Sequence, residues 1–162
     1  MNIYFLRHAI AVPRGTPRLK DENRPLTKDG ARKMRAVAKG MRALEIELDR
    51  IVTSPYLRAR QTAEIVAEIF GHEVEIWNSL IPHNDMRELV ATLRKFSGDS
   101  MLLVGHEPHL SGFISVLISG GPDAQIELKK GALCKVSSDD LIYGQCATLQ
   151  WLLAPAQLRK VR

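Results

Sequence analysis

The sequence predicts an α/β protein, a three-layer α/β/α sandwich around a mainly parallel central sheet. Short apolar segments rich in valine, isoleucine and leucine alternate with longer segments whose apolar residues recur at helical spacing. The segment 101–104 is apolar at every position, which is typical of a strand buried on both faces of a parallel sheet. A chain of 162 residues has the usual size of one domain, so we predict a single domain over 1–162.

The first strand is predicted over 2–6, where the residues are apolar and include β-branched and aromatic side chains. This segment is too short for a helix, and it stops at Arg7 and His8. A polar loop that contains several prolines follows. Thr27 then stands where its hydroxyl can cap the first helix, which the apolar spacing predicts over 28–44.

The second strand is predicted over 50–53. Ser54 and Pro55 come next, and this order indicates a helix N-cap followed by proline at the first helical position, where a missing N–H costs nothing. The apolar face of that helix ends near Gly71, and a weak third strand is predicted over 73–77.

The rest of the chain continues the alternation. The predicted elements are a helix over 86–96 closed by Gly98, the strand over 101–104, a helix over 110–118 ended by Gly120 and Gly121, and strands around 132–137 and 147–153. No helix is predicted between the last two strands, so we expect a mixed edge on an otherwise parallel sheet.

Polar side chains follow three of the predicted strands. Arg7 and His8 follow the first strand, Arg58 lies in the first turn of the helix after the second, and His106 follows the fourth. The ligand crevice of an open α/β sheet lies outside the carboxyl ends of its strands, so these side chains are expected to meet there. Two arginines and two histidines without a cluster of carboxylates indicate a site for an anion, either phosphate or carboxylate.

His8 is the candidate nucleophile of this site. A histidine with a reference pKa of about 6.5 is largely neutral at pH 7, and neighbouring arginines disfavour its cationic form. The neutral imidazole keeps a lone pair that can attack phosphorus without a separate base. Helices beginning near Ser54 and Glu107 would add backbone N–H donors to the same pocket.

Four blocks of the sequence resemble those of the histidine phosphatase superfamily, also called the phosphoglycerate mutase-like family. The blocks are Leu6-Arg7-His8-Ala9, RPLTKDG at 24–30, SPYLRARQTA at 54–63, and Val104-Gly105-His106. They follow one another in the family's order and lie within 3–112, about two thirds of the chain. The resemblance implies a phosphoglycerate mutase-like fold.

The resemblance also implies roles for individual residues. His8 would be the residue that is phosphorylated, and Arg7, Arg58 and His106 would complete the phosphate pocket. Arg24 would bind substrate from its loop, or would have a structural role beside the start of the first helix, and both readings stay open. Neither a metal nor a cofactor is implied.

The short chain, with no inserted cap between the second and fourth strands, is similar to the compact SixA-type phosphohistidine phosphatases of bacteria. Ala9 replaces the usual glycine after the first histidine, which requires a backbone that tolerates a Cβ atom there. The region 78–85 offers no match to the general-acid glutamate that many relatives place after the third strand. Phosphohistidine leaves as an imidazole and needs an acid less than an alkoxide does, so this absence favours a P–N substrate.

Two acidic residues remain candidates for a general acid. Glu107 follows the second histidine directly, where the acid-phosphatase branch carries its acid, but a helix-terminal role that favours the dipole is an equal reading. Asp85 is a weaker candidate. A further reading takes His106 and His109 as metal ligands three residues apart, but Pro108 and the lack of a third strong ligand nearby argue against it.

The predicted function is a metal-independent phosphatase that forms a phosphohistidine on His8 and dephosphorylates protein phosphohistidine. Its partner would be a phosphorylated protein, such as a phosphorelay or phosphotransfer protein, or a small phosphorylated molecule. Two alternatives stay open: a general phosphomonoesterase with Glu107 as the acid, and a phosphate-dependent binding module without turnover. The oligomeric state is not predicted.

The net charge of +5 and the isoelectric point near 9.4 do not by themselves indicate a nucleic-acid partner. The basic residues are spread along the chain, and the short tail cluster Arg159-Lys160-Val161-Arg162 has no aromatic residue between its cations. We therefore predict no nucleic-acid binding and assign the tail no role.

The sequence predicts a cytoplasmic protein. No segment approaches the roughly 20 apolar residues of a membrane-spanning helix, and the N-terminus lacks the features of a secretory signal. No membrane partner is therefore predicted. Cys134 and Cys146 are predicted to be buried, unpaired thiols without assigned chemistry, and His72 and His83 to be surface residues.

Overall fold

The fold is a six-stranded sheet with helices on both faces. The computed structural model describes residues 1–161. Its strands are β1 (Asn2–Arg7), β2 (Arg50–Thr53), β3 (Val74–Ile76), β4 (Ser100–Gly105), β5 (Leu133–Ser137) and β6 (Thr148–Leu153). Its helices are α1 (Lys28–Ala43), α2 (Leu57–Phe70), α3 (Met86–Leu93), α4 (His109–Ser119) and α5 (Pro155–Leu158). Short 3₁₀ turns are also present at Asp21–Asn23 and Asn78–Leu80.

The strand order across the sheet is β3-β2-β4-β1-β5-β6. The pairs β1–β4, β4–β2 and β2–β3 are parallel, whereas β5 pairs antiparallel with β1 and β6 pairs antiparallel with β5. The mainly parallel sheet and its mixed edge are therefore confirmed. The antiparallel pair β5–β6 is the pair for which the sequence predicted no intervening helix.

Alternate residues of the central strands pack into two hydrophobic layers. In β1, Ile3 and Phe5 join side chains of α3 and α4, whereas Tyr4 and Leu6 join side chains of α1, α2 and α5. β4 is buried over its whole length, as expected for a strand that is covered on both faces. Each fully buried leucine stabilises the fold by roughly 1.5–3 kcal/mol relative to an exposed position. This arrangement is the predicted α/β/α sandwich.

The start of α1 is tied to the loop that leaves β1. The Thr27 hydroxyl accepts a hydrogen bond from the Gly30 N–H at 2.9 Å, so the predicted helix cap is present. The Thr27 N–H donates to the Ile10 carbonyl at 3.0 Å. A Cβ atom on Gly30 would collide with that carbonyl oxygen, which explains why glycine stands there. The loop after His8 is therefore held against the first turn of α1.

The predicted start of α2 is wrong. The helix begins at Leu57 and not at Pro55. The Ser54 hydroxyl does not cap it; it accepts from the Tyr56 N–H at 3.3 Å and lies 2.8 Å from His106 Nε2. Ser54 therefore lies in a turn that places its hydroxyl beside His106, and the helix starts only after that turn.

The predicted end of α3 is also wrong, because the helix ends at Leu93 and not at residue 96. Phe96 lies in the turn that follows, where its N–H donates to the Leu93 carbonyl at 3.0 Å, and its ring still packs against the hydrophobic core. The apolar spacing continues past the helix for this reason. The other predicted elements agree with the observed bounds to within about one residue, whereas α5 and the two 3₁₀ turns were not predicted.

Within residues 1–161, no helix combines the length and the apolar character that crossing a membrane requires.

Candidate active site

The carboxyl ends of three neighbouring strands form the candidate site. β2, β4 and β1 are adjacent and parallel. Backbone hydrogen bonds join the segments that leave them: the His8 N–H donates to the Gly105 carbonyl, and the Ser54 N–H donates to the Val104 carbonyl, each at 3.0 Å. Segments that are distant in sequence are thereby held side by side at one edge of the sheet.

Arg7, His8, Arg58 and His106 line one cavity of about 540 Å³ at this edge. The centroids of the His8 and His106 rings are 5.1 Å apart. The Arg58 Nε atom is 3.2 Å from His8 Nε2. The four side chains that the sequence predicted to converge therefore face the same space.

His8 presents one ring nitrogen to the cavity. Its side chain is buried, and its Nδ1 atom is 2.7 Å from the Ala9 carbonyl oxygen, which can only accept a hydrogen bond. Nδ1 therefore carries the proton, and the lone pair is on Nε2. Arg58 donates its Nε–H to that lone pair at 3.2 Å.

The imidazole of His8 is neutral at physiological pH. Burial lowers its pKa most, and the cations Arg58, Arg7 and Lys130 lower it as well. The hydrogen bond to the Ala9 carbonyl acts in the opposite direction, and the resulting pKa is about 3. The neutral form of the ring, with an unprotonated Nε2 atom, is therefore the form that the fold maintains.

Arg58 is held in place by the loop between β1 and α1. It is 2% exposed. Its Nη1 donates to the Asp21 backbone carbonyl at 2.7 Å, and its Nη2 donates to Asp21 Oδ2 at 3.1 Å. A guanidinium has five N–H groups, so the bonds to Asp21 and His8 leave two for an anion.

The Asp21 carboxylate joins three arginines. Besides Arg58, it accepts hydrogen bonds from Arg14 Nε at 3.1 Å and from Arg24 Nε at 2.9 Å. Burial acts to raise the pKa of this carboxyl, but the three arginines outweigh it and keep the pKa below its ordinary value. Asp21 is therefore ionised at neutral pH and fixes the orientation of Arg58.

His106 lies against Ser54, Tyr56 and His8. Its Nε2 atom is 2.8 Å from the Ser54 hydroxyl oxygen, and the centroid of the Tyr56 ring is 5.1 Å from its own. Burial is the main reason that its pKa is lowered to about 2, and the positive charge of Arg58 adds to the effect. Its Nδ1 atom is buried and has no hydrogen-bond partner among residues 1–161. A neutral ring in this position can donate one N–H to an anion.

Arg7 is anchored to the loop that precedes β5. Its Nη1 donates to the Leu128 carbonyl at 2.9 Å, and its own carbonyl accepts from the Gly131 N–H at 3.0 Å. Burial lowers the pKa of the guanidinium, although Glu107 partly opposes this effect. The Nε atom is buried, and within residues 1–161 it has no hydrogen-bond partner. Arg7 therefore keeps a donor that an anion can use.

Arg24 lies in the cavity wall and is also anchored in its own loop. It is 8% exposed, and it donates from Nε to Asp21 and from Nη1 to the Val12 carbonyl at 2.7 Å. These contacts are structural, whereas its place in the wall allows a contact with substrate. The structure thus accommodates both readings that the sequence left open.

The model of the histidine phosphatase superfamily (branch 1) matches residues 3–84, about half of the chain. The chain belongs to this superfamily.

Similar proteins cover most of the chain. An uncharacterised protein of Picosynechococcus is 33% identical over 142 residues, which are 85% of this chain and 86% of that protein. The phosphohistidine phosphatase SixA of Escherichia coli is 26% identical over 167 residues, which are 100% of this chain and 99% of that protein. A solved structure of the protein histidine phosphatase SixA complexed with tungstate aligns with a TM-score of 0.85 at 26% identity, over 98% of this chain and 99% of that one.

These similarities assign the chain to the SixA-type branch of the histidine phosphatase superfamily. They also confirm the predicted phosphoglycerate mutase-like fold. At the level of the superfamily they support an enzyme, a phosphatase.

Ala9 stands where members of the histidine phosphatase superfamily usually have glycine. It is buried, and its N–H donates to the Thr62 hydroxyl at 3.0 Å. Its φ angle is not in the positive region that favours glycine. The backbone therefore tolerates the Cβ atom at this position.

The two acidic candidates differ in position. Glu107 lines the cavity, and its Oε1 also accepts a hydrogen bond from the Ser111 N–H at 3.1 Å in the first turn of α4. Both readings of Glu107 are therefore compatible with its position. Asp85 caps α3 by accepting from the Arg87 N–H at 2.8 Å, and it does not line the cavity. Its position gives no support to a role as general acid.

The remaining histidines lie in three different surroundings. His83 is exposed, as predicted, but it lines the cavity, and His72 is half-buried. His109 is buried at the start of α4, and within residues 1–161 neither of its ring nitrogens has a hydrogen-bond partner. Over the same residues, no group of three or more His, Cys, Asp or Glu side chains is placed to hold a metal ion.

The cysteines and the tail lie outside the site. Cys134 and Cys146 are both free thiols. Cys134 is buried, as predicted, and burial raises its pKa to about 12. The predicted burial of Cys146 is wrong, because it lies in the loop before β6 and is only half-buried. Arg159 and Lys160 of the basic tail are exposed after α5. Arg162, the last member of that cluster, lies outside the described residues.

Sequence reasoning missed four residues of this site: Asp21, Ser54 as a neighbour of His106, Tyr56 and Lys130. Asp21 gave a signal, because it stands three residues before Arg24 in a loop, where the two side chains can pair. Lys130 gave none, because its place in the wall depends on how the loop before β5 folds against Arg7.

The two site histidines make the fold sensitive to acid. The unfolded chain binds a proton at each of them below about pH 6.5, whereas the folded chain does so only near pH 3 at His8 and pH 2 at His106. As the pH is lowered from 6 to 4, the free energy of unfolding should therefore fall by up to about 1.4 kcal/mol per pH unit for each ring.

Urea unfolding at pH 7, 6, 5 and 4 measures this slope. The variants His8→Gln and His106→Gln should each reduce this slope. Each removes one ring that binds a proton in the unfolded chain but not in the folded chain over this pH range. Equal slopes in the variants and the unaltered protein would contradict the depressed pKa values.

Proposed function

We propose that this protein is a phosphatase that dephosphorylates protein phosphohistidine through a covalent phosphohistidine on Nε2 of His8. The observation that carries the proposal is the state of His8: a neutral ring whose Nε2 lone pair faces a cavity lined by arginine and histidine donors. Such a ring can attack phosphorus, and its surroundings can bind the oxygens of the phosphoryl group.

In the first step, the Nε2 lone pair of His8 attacks phosphorus while the P–N bond of the substrate breaks. The electron pair of that bond goes to the ring nitrogen of the substrate, which leaves as a neutral imidazole because its other ring nitrogen carries a proton. Phospho-His8 keeps its Nδ1 proton and is therefore cationic until the second step. In the second step, water attacks the phosphorus of phospho-His8, the Nε2–P bond breaks, and orthophosphate is released. The ring of His8 regains its lone pair and is ready for another cycle.

The donors around His8 are placed for the charge that the phosphoryl oxygens carry throughout this transfer. Arg58 donates to the position where the phosphoryl group must sit, because its Nε–H already points at Nε2. Arg7 and His106 each have a buried nitrogen without a partner among residues 1–161. We therefore infer that Arg7, Arg58 and His106 bind the three phosphoryl oxygens and that this binding needs no metal.

The positions of the acidic side chains favour protein phosphohistidine as the substrate class. Asp85 caps a helix outside the cavity, and no glutamate follows the third strand in the manner of many relatives. An imidazole leaving group depends less on an acid than an alkoxide does. The relatives named phosphohistidine phosphatase SixA and histidine phosphatase SixA add support.

A substrate panel tests the proposal. The same preparation is assayed with a phosphohistidine protein or peptide, a phosphotyrosine peptide and several sugar phosphates. We expect kcat/KM to be highest for the phosphohistidine substrate. A higher kcat/KM for sugar phosphates would contradict this function and support the general phosphomonoesterase. Binding of phosphopeptides without any turnover would support the binding module.

The general phosphomonoesterase remains the second candidate, because the Glu107 carboxylate lines the cavity. The variant Glu107→Gln separates the two functions: glutamine keeps an oxygen for the Ser111 N–H but cannot supply a proton. We expect phosphohistidine turnover to change by less than about threefold, since a general acid would contribute about 10²-fold or more. A loss of that larger size, with an unchanged Tm, would show that Glu107 acts as the acid.

We keep the cytoplasm as the proposed location. Both cysteines are free thiols, which is usual in a reducing compartment. The partner in this proposal is a phosphorylated protein in the same compartment, such as a phosphorelay or phosphotransfer protein.

A further inference from the structure

The cavity is much larger than the phosphoryl group that Arg7, Arg58 and His106 are proposed to bind. Its volume of about 540 Å³ is in the range that holds a whole small molecule or a peptide segment. Arg7, His8, Arg58 and His106 occupy only one part of its wall. The rest of the wall therefore contacts whatever carries the phosphoryl group.

This outer wall is positively charged. Arg14, Arg24 and Lys130 belong to it in addition to the two arginines of the phosphoryl pocket. Even when Glu107 and the neighbouring Asp21 are subtracted, three positive charges remain around the cavity. A phosphoryl group with two negative charges does not balance them.

Lys130 differs from the arginines in having its charge uncommitted. Arg14 and Arg24 both donate to the Asp21 carboxylate, at 3.1 and 2.9 Å. Lys130 is exposed at the cavity, and among residues 1–161 its ammonium group has neither a hydrogen-bond nor an ion-pair partner. Partial burial of the ammonium group is the largest cause of a lowered pKa for Lys130, and the positive charges of Arg7, Arg24 and Arg58 lower this pKa further. These like charges would be stabilised by an added anion.

The backbone fixes where Lys130 stands. The Leu128 carbonyl and the Gly131 N–H, on either side of Lys130, are both hydrogen-bonded to Arg7. The turn is closed by the Ala132 N–H, which donates to the Lys129 carbonyl at 2.8 Å. Gly131 supplies the positive φ of 79° that this turn requires. Lys130 is thereby held beside the phosphoryl pocket by contacts that do not involve its own side chain.

We propose that Lys130 forms a second anion subsite, which binds an acidic side chain of the substrate protein next to its phosphohistidine. The subsite rests on the proposed function, because it would bind a side chain next to the same phosphoryl group. Lys129 does not share this role, since its ammonium group pairs with Glu127 at 3.6 Å and it does not line the cavity. The adjacent lysine therefore provides a matched control.

The experiment compares two phosphohistidine peptides that differ only at the residues flanking the phosphohistidine. One peptide has glutamates there and the other has glutamines. We expect the unaltered protein to prefer the acidic peptide by about fivefold in kcat/KM, which is the upper range for one exposed ion pair. The preference should lie in KM, because a contact away from phosphorus is equally strong in the ground state and the transition state.

Lys130→Ala should reduce the preference to near unity, Lys130→Arg should restore most of it, and Lys129→Ala should retain it. Added salt should weaken the preference in the unaltered protein. A preference that survives Lys130→Ala, or that disappears equally in Lys129→Ala, would overturn the subsite while leaving the proposed function intact. Absence of turnover of both peptides by the unaltered protein would overturn the proposed function, and the subsite with it.

Discussion

Replacing His8 by alanine should lower phosphohistidine turnover by about 10⁴-fold or more, because the variant has no nucleophile to accept the phosphoryl group. The unaltered protein should form a phosphoenzyme that is labile in acid and stable in alkali, and His8→Ala should form none. Rapid quenching with a ³²P-labelled substrate measures both. The expected loss is large because, among residues 1–161, no other neutral imidazole has a lone pair placed against Arg58.

The fold should survive this substitution. His8 stands at the end of β1 on the wall of an open cavity, so removing its ring enlarges that cavity and exposes no closed part of the core. His72→Ala is the control, because His72 lies just past the end of α2, away from the cavity, and its loss should leave turnover within about twofold. Full activity in His8→Ala, or a phosphoenzyme in that variant, would contradict the mechanism.

The sequence predicted the sheet well, because the signals for its strands are local. The run of apolar residues in β4 is sufficient to place a buried strand, and the capping residue Thr27 before a helical apolar spacing is sufficient to place the start of α1. The end of α3 was not predictable in the same way. Phe96 continues the apolar spacing, but it reaches the core from a turn, and only the packed structure distinguishes the two cases.

The candidate site was predictable where each strand ends in an unusual residue. His8 and His106 were found in this way. Asp21 and Lys130 were not found. The only signal of Asp21 was its spacing from Arg24, and the place of Lys130 depends on a loop that folds back over the sheet edge. Ser54 was found, but the role predicted for it was wrong. The order Ser-Pro is typical of a helix start, whereas the Ser54 hydroxyl lies against His106.

Arg58→Ala should lower kcat/KM for phosphohistidine by about 10³-fold, in the range seen when one charged donor to a transferring phosphoryl group is removed. Arg58 donates directly to the proposed nucleophile, since its Nε lies 3.2 Å from His8 Nε2. Binding of inorganic phosphate, measured by calorimetry, should weaken as well. The loss of this positive charge should also raise the pKa of His8, although burial remains the larger cause of its depression.

Two further variants separate catalysis from folding. Arg58→Lys keeps a positive charge near Asp21 but loses the planar fork, so it should also lose most of the activity. Arg60→Ala is the matched control on the same helix: the Arg60 side chain is 44% exposed and lies 3.9 Å from Glu64. Its removal should change turnover by less than about twofold, as expected for an exposed ion pair. If Arg58→Ala remained folded and bound phosphate as tightly as Arg60→Ala, the phosphoryl pocket would have to lie elsewhere, because no other guanidinium within residues 1–161 contacts the lone pair of His8.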